Sequence, residues 1–420
     1  MIQGESGLSG HDHLTSPLNH HLLNPPLSKF MNRIHLCMCR MSGAEQKFID
    51  EAFAEEWVVP LGPNVDGFEE DLKHFILDGD PACQGKEIAA LSSGTAAIHL
   101  ALVLLGVGRD DEVMCQSFTF AASANPVVYQ GGRPVFVDSE PESWNMDPVL
   151  LDKAIADRVA VTGRKPKAII AVHLYGMPAR IDEICAVGEK WGIPVVEDAA
   201  EALGSSYKGR KCGTFGRFGI LSFNGNKMIT TSGGGALICP DAESKKRAVF
   251  YATQAREAYP YYQHEHIGFN YRLSNISAGI GRGQMTVLEK YLDHHRRLAG
   301  IYQVLFAGMA GVKYHANPWP DADSNYWLST VEIDPEITGC TPDVVSQHLN
   351  KLNIETRLLW KPMHLQPVYA DAPAYVNGVS EHLFDRGLCL PSGPWVTPEQ
   401  VKMIVDEIAY LISSQSASLT

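Results

Sequence analysis

Short, uninterrupted apolar runs alternate with helical stretches between residues 88 and 238, and this feature constrains the fold more than any other. The runs are Ile88–Leu91, Val113–Gln116, Pro134–Val137, Ala168–Val172, Val195–Glu197, Ile220–Phe223 and Ala236–Ile238. A strand with one solvated face would alternate apolar and polar residues, whereas continuous apolar strands indicate a sheet covered by helices on both faces. The segments between them predict helices, including Ala96–Leu105, Pro148–Ala156 and Ile181–Trp191. The sequence therefore predicts a large α/β domain with a mostly parallel sheet.

The sequence changes character near residues 32 and 295, and these positions divide the chain into three parts. Glycines, prolines and four histidines interrupt residues 1–32 without any period, which predicts a disordered extension. This segment lacks the basic start and apolar core of a secretory signal. Residues 33–295 contain the predicted α/β domain. Residues 296–420 mix strands, helices and many prolines, which predicts a smaller C-terminal α+β domain.

Composition argues against several classes of function. The 420 residues carry a formal net charge of −13, whereas nucleic-acid binders and polybasic membrane proteins need an excess of positive charge. The apolar stretch Ala96–Val107 is about half of the roughly 20 residues that span a bilayer. The nine cysteines are scattered, with Cys37 and Cys39 as the one close pair, and this usage favours a reducing compartment. We therefore expect a cytoplasmic protein without a nucleic-acid partner, a membrane span or a metal site.

The segment Ser92-Ser93-Gly94-Thr95 stands where a predicted strand gives way to a helix. The N–H groups and the positive dipole end of a helix's first turn can bind a phosphate. Serine and threonine also cap helices that bind nothing, so this short pattern leaves both interpretations open. It matches neither a P-loop nor a Gly-x-Gly-x-x-Gly dinucleotide motif.

Two further segments carry ionisable groups at strand ends. Asp198 and Glu201 follow the strand Val195–Glu197. A buried carboxylate at this place needs a cationic partner, either a metal or a protonated ring nitrogen. The alternative is that the aspartate caps a helix. Lys227 lies between two apolar strands, where a lysine can become an imine-forming nucleophile or simply remain solvated. A phosphate turn, a strand-end aspartate and a lysine, in this order, are what a pyridoxal-phosphate site requires.

Seven motifs, in order along the chain, make the sequence similar to a known family. They are Leu61-Gly-Pro-Asn64, Ser93-Gly-Thr-Ala-Ala97, Ser117-Phe-Thr-Phe120, Asp198-Ala-Ala-Glu201-Ala, Ser222-Phe-Asn-Gly-Asn-Lys227, Gly268-Phe-Asn-Tyr-Arg272 and Met363-His-Leu-Gln-Pro367. Together they resemble the nucleotide-sugar aminotransferases of the DegT/DnrJ/StrS group, which are fold-type-I enzymes dependent on pyridoxal 5′-phosphate (PLP). The resemblance extends from Ile34 to about Ile412.

The resemblance implies roles for the residues that would contact the ring of the cofactor. Lys227 would bind PLP covalently and later carry a proton between the substrate carbon and the cofactor. Asp198 would pair with the pyridinium nitrogen and keep it protonated. Phe120 would stack on the ring. Glu201, where many relatives have glutamine, would tune the cofactor through its ring hydroxyl.

The resemblance also implies a phosphate site and a shared active site. The residues expected at the phosphate are Gly94, Thr95, Ala96, Ser222 and, from the neighbouring subunit, Asn270. A site completed by a neighbouring subunit implies an obligatory homodimer. Arg272 and His364 are the candidates for binding the amino donor or the sugar nucleotide.

Two segments, Ser222–Gly235 and Trp360–Pro367, most resemble the bacillosamine branch of these enzymes. That branch aminates UDP-2-acetamido-2,6-dideoxy-4-ketohexose with L-glutamate, and gives UDP-4-amino-4,6-dideoxy-N-acetylglucosamine and 2-oxoglutarate for bacterial glycans. A dTDP- or GDP-linked sugar, amination at C3, and a non-catalytic PLP-binding regulator are the alternatives. A sugar dehydratase of the same fold is disfavoured, because those relatives have histidine where this chain has Lys227.

Overall fold

The computed structural model describes residues 33–418, and the extension predicted for residues 1–32 lies outside the described residues. The helices are α1 (Glu45–Ala54), α2 (Pro63–Ile76), α3 (Gly94–Leu104), α4 (Asn125–Tyr129), α5 (Pro148–Thr162), α6 (Ile181–Trp191), α7 (Ala242–Ala252), α8 (Asn275–Met285), α9 (Leu288–Phe306), α10 (Pro335–Thr338), α11 (Pro342–Lys351), α12 (Val379–Arg386) and α13 (Pro398–Ser418). The strands are β1 (Glu87–Leu91), β2 (Glu112–Gln116), β3 (Arg133–Val137), β4 (Ala168–Val172), β5 (Val195–Asp198), β6 (Ser206–Tyr207), β7 (Arg210–Lys211), β8 (Phe218–Ser222), β9 (Gly235–Cys239), β10 (Val312–Tyr314), β11 (Ala322–Asp323), β12 (Ser329–Ile333), β13 (Arg357–Leu358), β14 (Ala374–Tyr375) and β15 (Gly387–Leu390). No helix of the described range has both the length and the apolar character needed to cross a membrane.

Eight strands form the central sheet in the order β1-β9-β8-β5-β4-β2-β3-β14. Neighbouring strands are parallel except at β9, which pairs antiparallel with both β1 and β8. The predicted α/β domain with a mostly parallel sheet is confirmed. Each of the seven predicted strands is present, with ends that differ from the prediction by at most two residues.

Helices cover both faces of the central sheet, which is why its strands are continuously apolar. In β4, Ile169 packs in a cluster with residues of α5 and α6, while the adjacent Ile170 packs in a cluster with residues of α3 and α7. Both side chains are fully buried. Since successive side chains of a strand point to opposite faces, a sheet with two buried faces needs an apolar residue at every position.

A second, antiparallel sheet lies in the C-terminal part of the chain, with the strand order β10-β12-β15-β13. Its apolar residues form one cluster with residues of α9, α11 and α13, so the smaller α+β unit of the predicted fold class is also present. The expected boundary between residues 295 and 296 falls within α9, and β14, which lies beyond that boundary, pairs with β3 of the central sheet. The two regions therefore share a helix and a strand pairing.

Three strands of the central sheet end at the edge where the predicted functional residues follow. β5 and β8 are parallel, and β1 runs in the same direction because β9 is antiparallel to both β1 and β8. The carboxyl end of β1 leads into the start of α3, and β5 ends at Asp198. The carboxyl end of β8 leads into the loop that carries Lys227. In open α/β sheets, ligands bind at this carboxyl edge of the strands.

Candidate active site

A cavity of about 430 Å³ lies at the carboxyl edge of the central sheet. Residues of the C-terminal sheet and of the segment before α1 complete its wall. The predicted site residues that line it are Gly94, Thr95, Phe120, Asp198, Glu201, Ser222 and Lys227. Motifs that are far apart in the sequence therefore meet at one place in the fold.

The turn from β1 into α3 forms one wall of the cavity. Ser93 is the N-cap of α3, and its Oγ accepts a hydrogen bond from the N–H of Ala96 at 3.0 Å. The N–H groups of Gly94 and Thr95 lie in the first helical turn, where backbone donors have no acceptor within the helix. A Cβ atom added to Gly94 would lie 3.2 Å from Cβ of Ser222, so the two residues form a narrow cradle. Backbone donors, a hydroxyl and the helix dipole make this cradle suitable for a phosphate.

Asp198, at the end of β5, is 5% exposed and is held in one orientation by two hydrogen bonds. Its Oδ2 accepts from the Ser123 hydroxyl at 2.6 Å, and its Oδ1 accepts from the N–H of Ala200 at 3.2 Å. Because Ser123 donates its single hydroxyl hydrogen to Asp198, the 2.8 Å contact between Thr119 and Ser123 is a donation from Thr119 Oγ1. Thr119 and Ser123 thus form a directed chain of donors that ends on the Asp198 carboxylate.

Lys227 extends into the cavity from the loop between β8 and β9. Its Nζ lies 3.5 Å from Oε1 of Glu201 and 4.0 Å from the centre of the Trp327 ring. A carboxylate and an aromatic face both attract an ammonium group. The backbone around it is also held, because Trp327 Nε1 donates to the Asn226 carbonyl at 2.6 Å and Cys39 Sγ donates to the Lys227 carbonyl at 2.8 Å. Two segments remote in sequence therefore position the lysine.

Glu201 is a buried carboxyl group with an unusual pKa. Burial raises its pKa to about 7, although the neighbouring Lys227 ammonium opposes the rise and Asp198 adds to it. Oε2 of Glu201 accepts a hydrogen bond from the N–H of Tyr175 at 2.7 Å. Tyr175 has a φ of 54°, a left-handed conformation that costs a non-glycine residue on the order of 1–3 kcal/mol. This strained peptide presents its N–H to Glu201.

Four predicted residues do not line the cavity of the single chain: Ala96, Asn270, Arg272 and His364. The isolated bridge between Thr253 and Asn270 places Asn270 beside Thr253. Arg272 also reaches Thr253, since its Nη1 donates to Thr253 Oγ1 at 3.3 Å. The expected role of Asn270 on a neighbouring subunit stays a prediction.

The other two have local partners that explain their placement. The N–H of Ala96 is used by the Ser93 cap of α3, which leaves Gly94 and Thr95 as the backbone donors at the cavity. His364 lies between two polar side chains: its Nδ1 is 2.6 Å from Ser117 Oγ and its Nε2 is 3.1 Å from Glu381 Oε1. The phosphate role of Ala96 and the substrate role of His364 also stay predictions.

Residues to which the sequence assigned no role also line the cavity, among them Ser123, Trp327, Arg357 and Trp360. The ring of Trp360 lies with its centre 5.5 Å from that of Phe120, whose side chain is 57% exposed. A signal for Ser123 was available, because it follows the Ser117–Phe120 motif by three residues. Trp360 begins the segment Trp360–Pro367, whereas Trp327 and Arg357 lie outside every motif, and their sequence context carried no such signal.

The donor set fits PLP at three points. The cradle at the start of α3 suits the phosphate, the oriented Asp198 carboxylate suits a protonated ring nitrogen, and Lys227 Nζ suits an aldehyde carbon. The exposed face of Phe120 offers an apolar surface for an aromatic ring. Over residues 33–418 there is no cluster of three or more His, Cys, Asp or Glu side chains arranged to hold a metal ion.

Comparisons with known proteins show the family to which the chain belongs. The DegT/DnrJ/EryC1/StrS aminotransferase family matches residues 40–409. EpsN of Bacillus subtilis strain 168, named as a pyridoxal phosphate-dependent aminotransferase, is 46% identical over 383 residues, which are 90% of this chain and 96% of EpsN. GDP-perosamine synthase of Escherichia coli O157:H7 is 32% identical over 371 residues, which are 88% of this chain and 95% of that protein. A crystal structure of a DegT DnrJ EryC1 StrS aminotransferase from Brucella abortus has a TM-score of 0.80 at 30% identity, with 87% of this chain and 94% of that chain covered. The chain therefore belongs to the DegT/DnrJ/EryC1/StrS aminotransferase family and is a PLP-dependent aminotransferase that acts on sugar nucleotides.

Proposed function

We propose that this enzyme transfers the amino group of L-glutamate to C4 of UDP-2-acetamido-2,6-dideoxy-4-ketohexose. The products are UDP-4-amino-4,6-dideoxy-N-acetylglucosamine and 2-oxoglutarate, and the amino sugar serves bacterial glycan biosynthesis by the bacillosamine route. The observation that carries the transamination is that Lys227, Asp198 and the first turn of α3 meet at one cavity.

Each of these groups has a defined task in the proposed reaction. Bound PLP supplies an aldehyde carbon that receives the amino group and a ring that withdraws electrons from the reacting carbon. Lys227 Nζ binds the cofactor and, once released, moves the proton at the reacting carbon. Asp198, fixed by Ser123, keeps the ring nitrogen protonated. Gly94, with Thr95 and Ser222 beside it, holds the phosphate.

Glu201 supports a tuning role beside Lys227. A carboxyl group with a pKa of about 7 exchanges a proton readily near neutral pH, whereas a glutamine at this position would not titrate. Its Oε1 is 3.5 Å from Lys227 Nζ, so the protonation state of Glu201 acts directly on the lysine.

The identity of the sugar nucleotide rests on similarity. The segments Ser222–Gly235 and Trp360–Pro367 favour a UDP-linked 4-keto sugar. A GDP-linked 4-keto sugar is the second candidate, because a relative that covers 88% of this chain is named GDP-perosamine synthase. The two candidates differ in the base that the site must accept.

A homodimer with shared active sites is also part of the proposal. The loop before Asn270 exposes large apolar side chains, with Tyr262 at 79% and Ile267 at 88% exposure, as expected of a surface that a second copy covers. Mixing Lys227→Ala protein with Asn270→Ala protein would then restore part of the activity, since each mixed dimer contains one complete site. A monomer in light scattering, or no restoration after subunit exchange, would contradict this arrangement.

A cytoplasmic location is supported by the chemistry of the cysteines. All nine lie in the described range as free thiols, and seven of them are buried. Free thiols persist in a reducing compartment, whereas secreted proteins tend to pair them.

The substrate is tested by supplying L-glutamate with UDP-, GDP- and dTDP-linked 4-keto-6-deoxy sugars and measuring the release of 2-oxoglutarate. We expect the highest kcat/KM for the UDP-linked 2-acetamido sugar, with the amino group at C4 of the isolated product. A higher kcat/KM for the GDP-linked sugar, or amination at C3, would replace the proposed substrate without affecting the assignment as an aminotransferase.

A further inference from the structure

The cavity contains few positive charges for a site that receives anionic substrates. Among its described lining residues, the cationic side chains are Lys227 and Arg357, and the carboxylates are Asp198, Glu201 and Glu355. The Lys227 side chain is 13% exposed and faces Glu201, whereas the Arg357 side chain is 63% exposed. Because the chain has a formal net charge of −13, its overall field does not attract anions, and a local cation must do so.

Arg357 has a fixed place at the wall of the cavity. It is the first residue of β13, the edge strand of the C-terminal sheet, and it pairs with Cys389 of β15. Leu358 and Cys389 also line the cavity. The strand pairing therefore fixes the backbone of Arg357 beside the cavity while its long side chain extends into solvent.

Glu355 restrains the guanidinium group of Arg357 but accepts a hydrogen bond from only one of its N–H donors in the described contacts. Oε1 of Glu355 accepts from Arg357 Nη2 at 3.2 Å, while Oε2 accepts from the N–H of Leu36 at 3.2 Å and lies 3.3 Å from Nδ1 of His35. Burial by itself raises the pKa of Glu355, but these hydrogen bonds outweigh burial and hold it below its ordinary value. A guanidinium group has five N–H donors, and the described contacts use one of them.

We propose that Arg357 binds the oxyanion of the substrates at the mouth of the cavity, an inference that rests on the proposed function. The two substrates enter the same site in turn, and each carries such a group: glutamate has carboxylates and the sugar nucleotide has a diphosphate. The planar, multidentate guanidinium matches both kinds of oxyanion. Arg357 thus takes the role for which the sequence indicated Arg272 and His364, neither of which lines this cavity.

Equilibrium binding to the PLP-loaded enzyme tests this proposal without turnover. Glutarate, an unreactive dicarboxylate, and UDP are titrated by calorimetry into the wild type, Arg357→Ala and Arg357→Lys. We expect Arg357→Ala to bind at least one of the two probes roughly tenfold or more weakly, the usual effect of losing a hydrogen bond to a charged group. Arg357→Lys should be intermediate, because it keeps the charge but loses the planar donor pair. The control is Lys313→Ala, on the opposite edge strand of the same sheet, which should match the wild type.

The outcomes separate the two sources of the oxyanion. Weaker binding of glutarate alone assigns Arg357 to the amino donor, and weaker binding of UDP alone assigns it to the diphosphate. In turnover, KM for the same substrate should rise roughly tenfold with kcat little changed. Unchanged affinities for both probes would overturn the proposal. If the wild type accepts none of the sugars tested, the proposed substrate fails, while the two titrations still decide the role of Arg357.

Discussion

Replacing Glu201 with glutamine should change the way in which the stability of the cofactor-free protein depends on pH. Burial raises the pKa of Glu201 from its ordinary value of 4.5 to about 7, against the opposing effect of Lys227. Between these two values the native state holds a proton that the unfolded chain has released. By linkage, the free energy of unfolding must therefore fall as the pH rises through this window, and become independent of this group above it.

The size of the effect follows from the shift of the pKa. One pKa unit corresponds to about 1.4 kcal/mol, so the whole rise amounts to about 3 kcal/mol. Most of it, about 2.5 kcal/mol, falls between pH 5 and pH 8. Glutamine does not titrate, so Glu201→Gln should lack this part of the pH dependence and gain stability relative to the wild type as the pH rises.

Urea denaturation at several pH values from 5 to 8 provides the measurement, because the difference between the two proteins is read at each pH. Glu243→Gln, an exposed substitution of the same kind, is the control and should follow the wild type. If wild type and Glu201→Gln lose stability in parallel as the pH rises, Glu201 does not titrate in this window and the reasoning from its burial is refuted.

Five further substitutions, at four positions, test the other contacts of the site. Lys227→Ala should retain PLP but lose turnover by at least about 100-fold, measured as 2-oxoglutarate release, and turnover near the wild-type rate would contradict the role of Lys227. Ser123→Ala should raise the dissociation constant of PLP roughly tenfold, because Asp198 loses its 2.6 Å donor. Thr119→Val should have a smaller effect, since its hydroxyl donates to Ser123 and not to the carboxylate; equal effects would argue against the directed chain. Trp327→Phe removes the donor to the Asn226 carbonyl but keeps a ring beside Lys227, so in urea it should cost about 1 kcal/mol, and a larger loss in Trp327→Leu is expected.

The central sheet could be predicted because its pattern is local. Continuous apolar runs such as Ala168–Val172 have one explanation in a chain of this kind, burial on both faces, and the structure shows it at Ile169 and Ile170. The antiparallel insertion of β9 between β1 and β8 had no such signal, because strand direction depends on the path of the connections and not on the composition of the strand.

The candidate site residues also divide into those that a local sequence motif could predict and those that it could not. Gly94 and Asp198 lie at a helix start and a strand end, where a local motif determines the backbone; Lys227 is recognisable from its motif, although Cys39 and Trp327 hold its loop. His364 lies in an equally recognisable motif, but its direction depends on Ser117 and Glu381, which come from distant parts of the chain. Side chains that reach the cavity only through tertiary packing could not be found from the sequence.

The contacts that hold the Lys227 loop have a consequence for the order in which the enzyme is made. Cys39 emerges from the ribosome long before Lys227, and Trp327 emerges 100 residues after it. A nascent chain that ends before Trp327 already contains the phosphate turn, Asp198 and the lysine, but it lacks the indole that fixes the loop. Domains generally fold as units during synthesis. We therefore expect the Lys227 loop to reach its final conformation only after the C-terminal region has been translated and has folded.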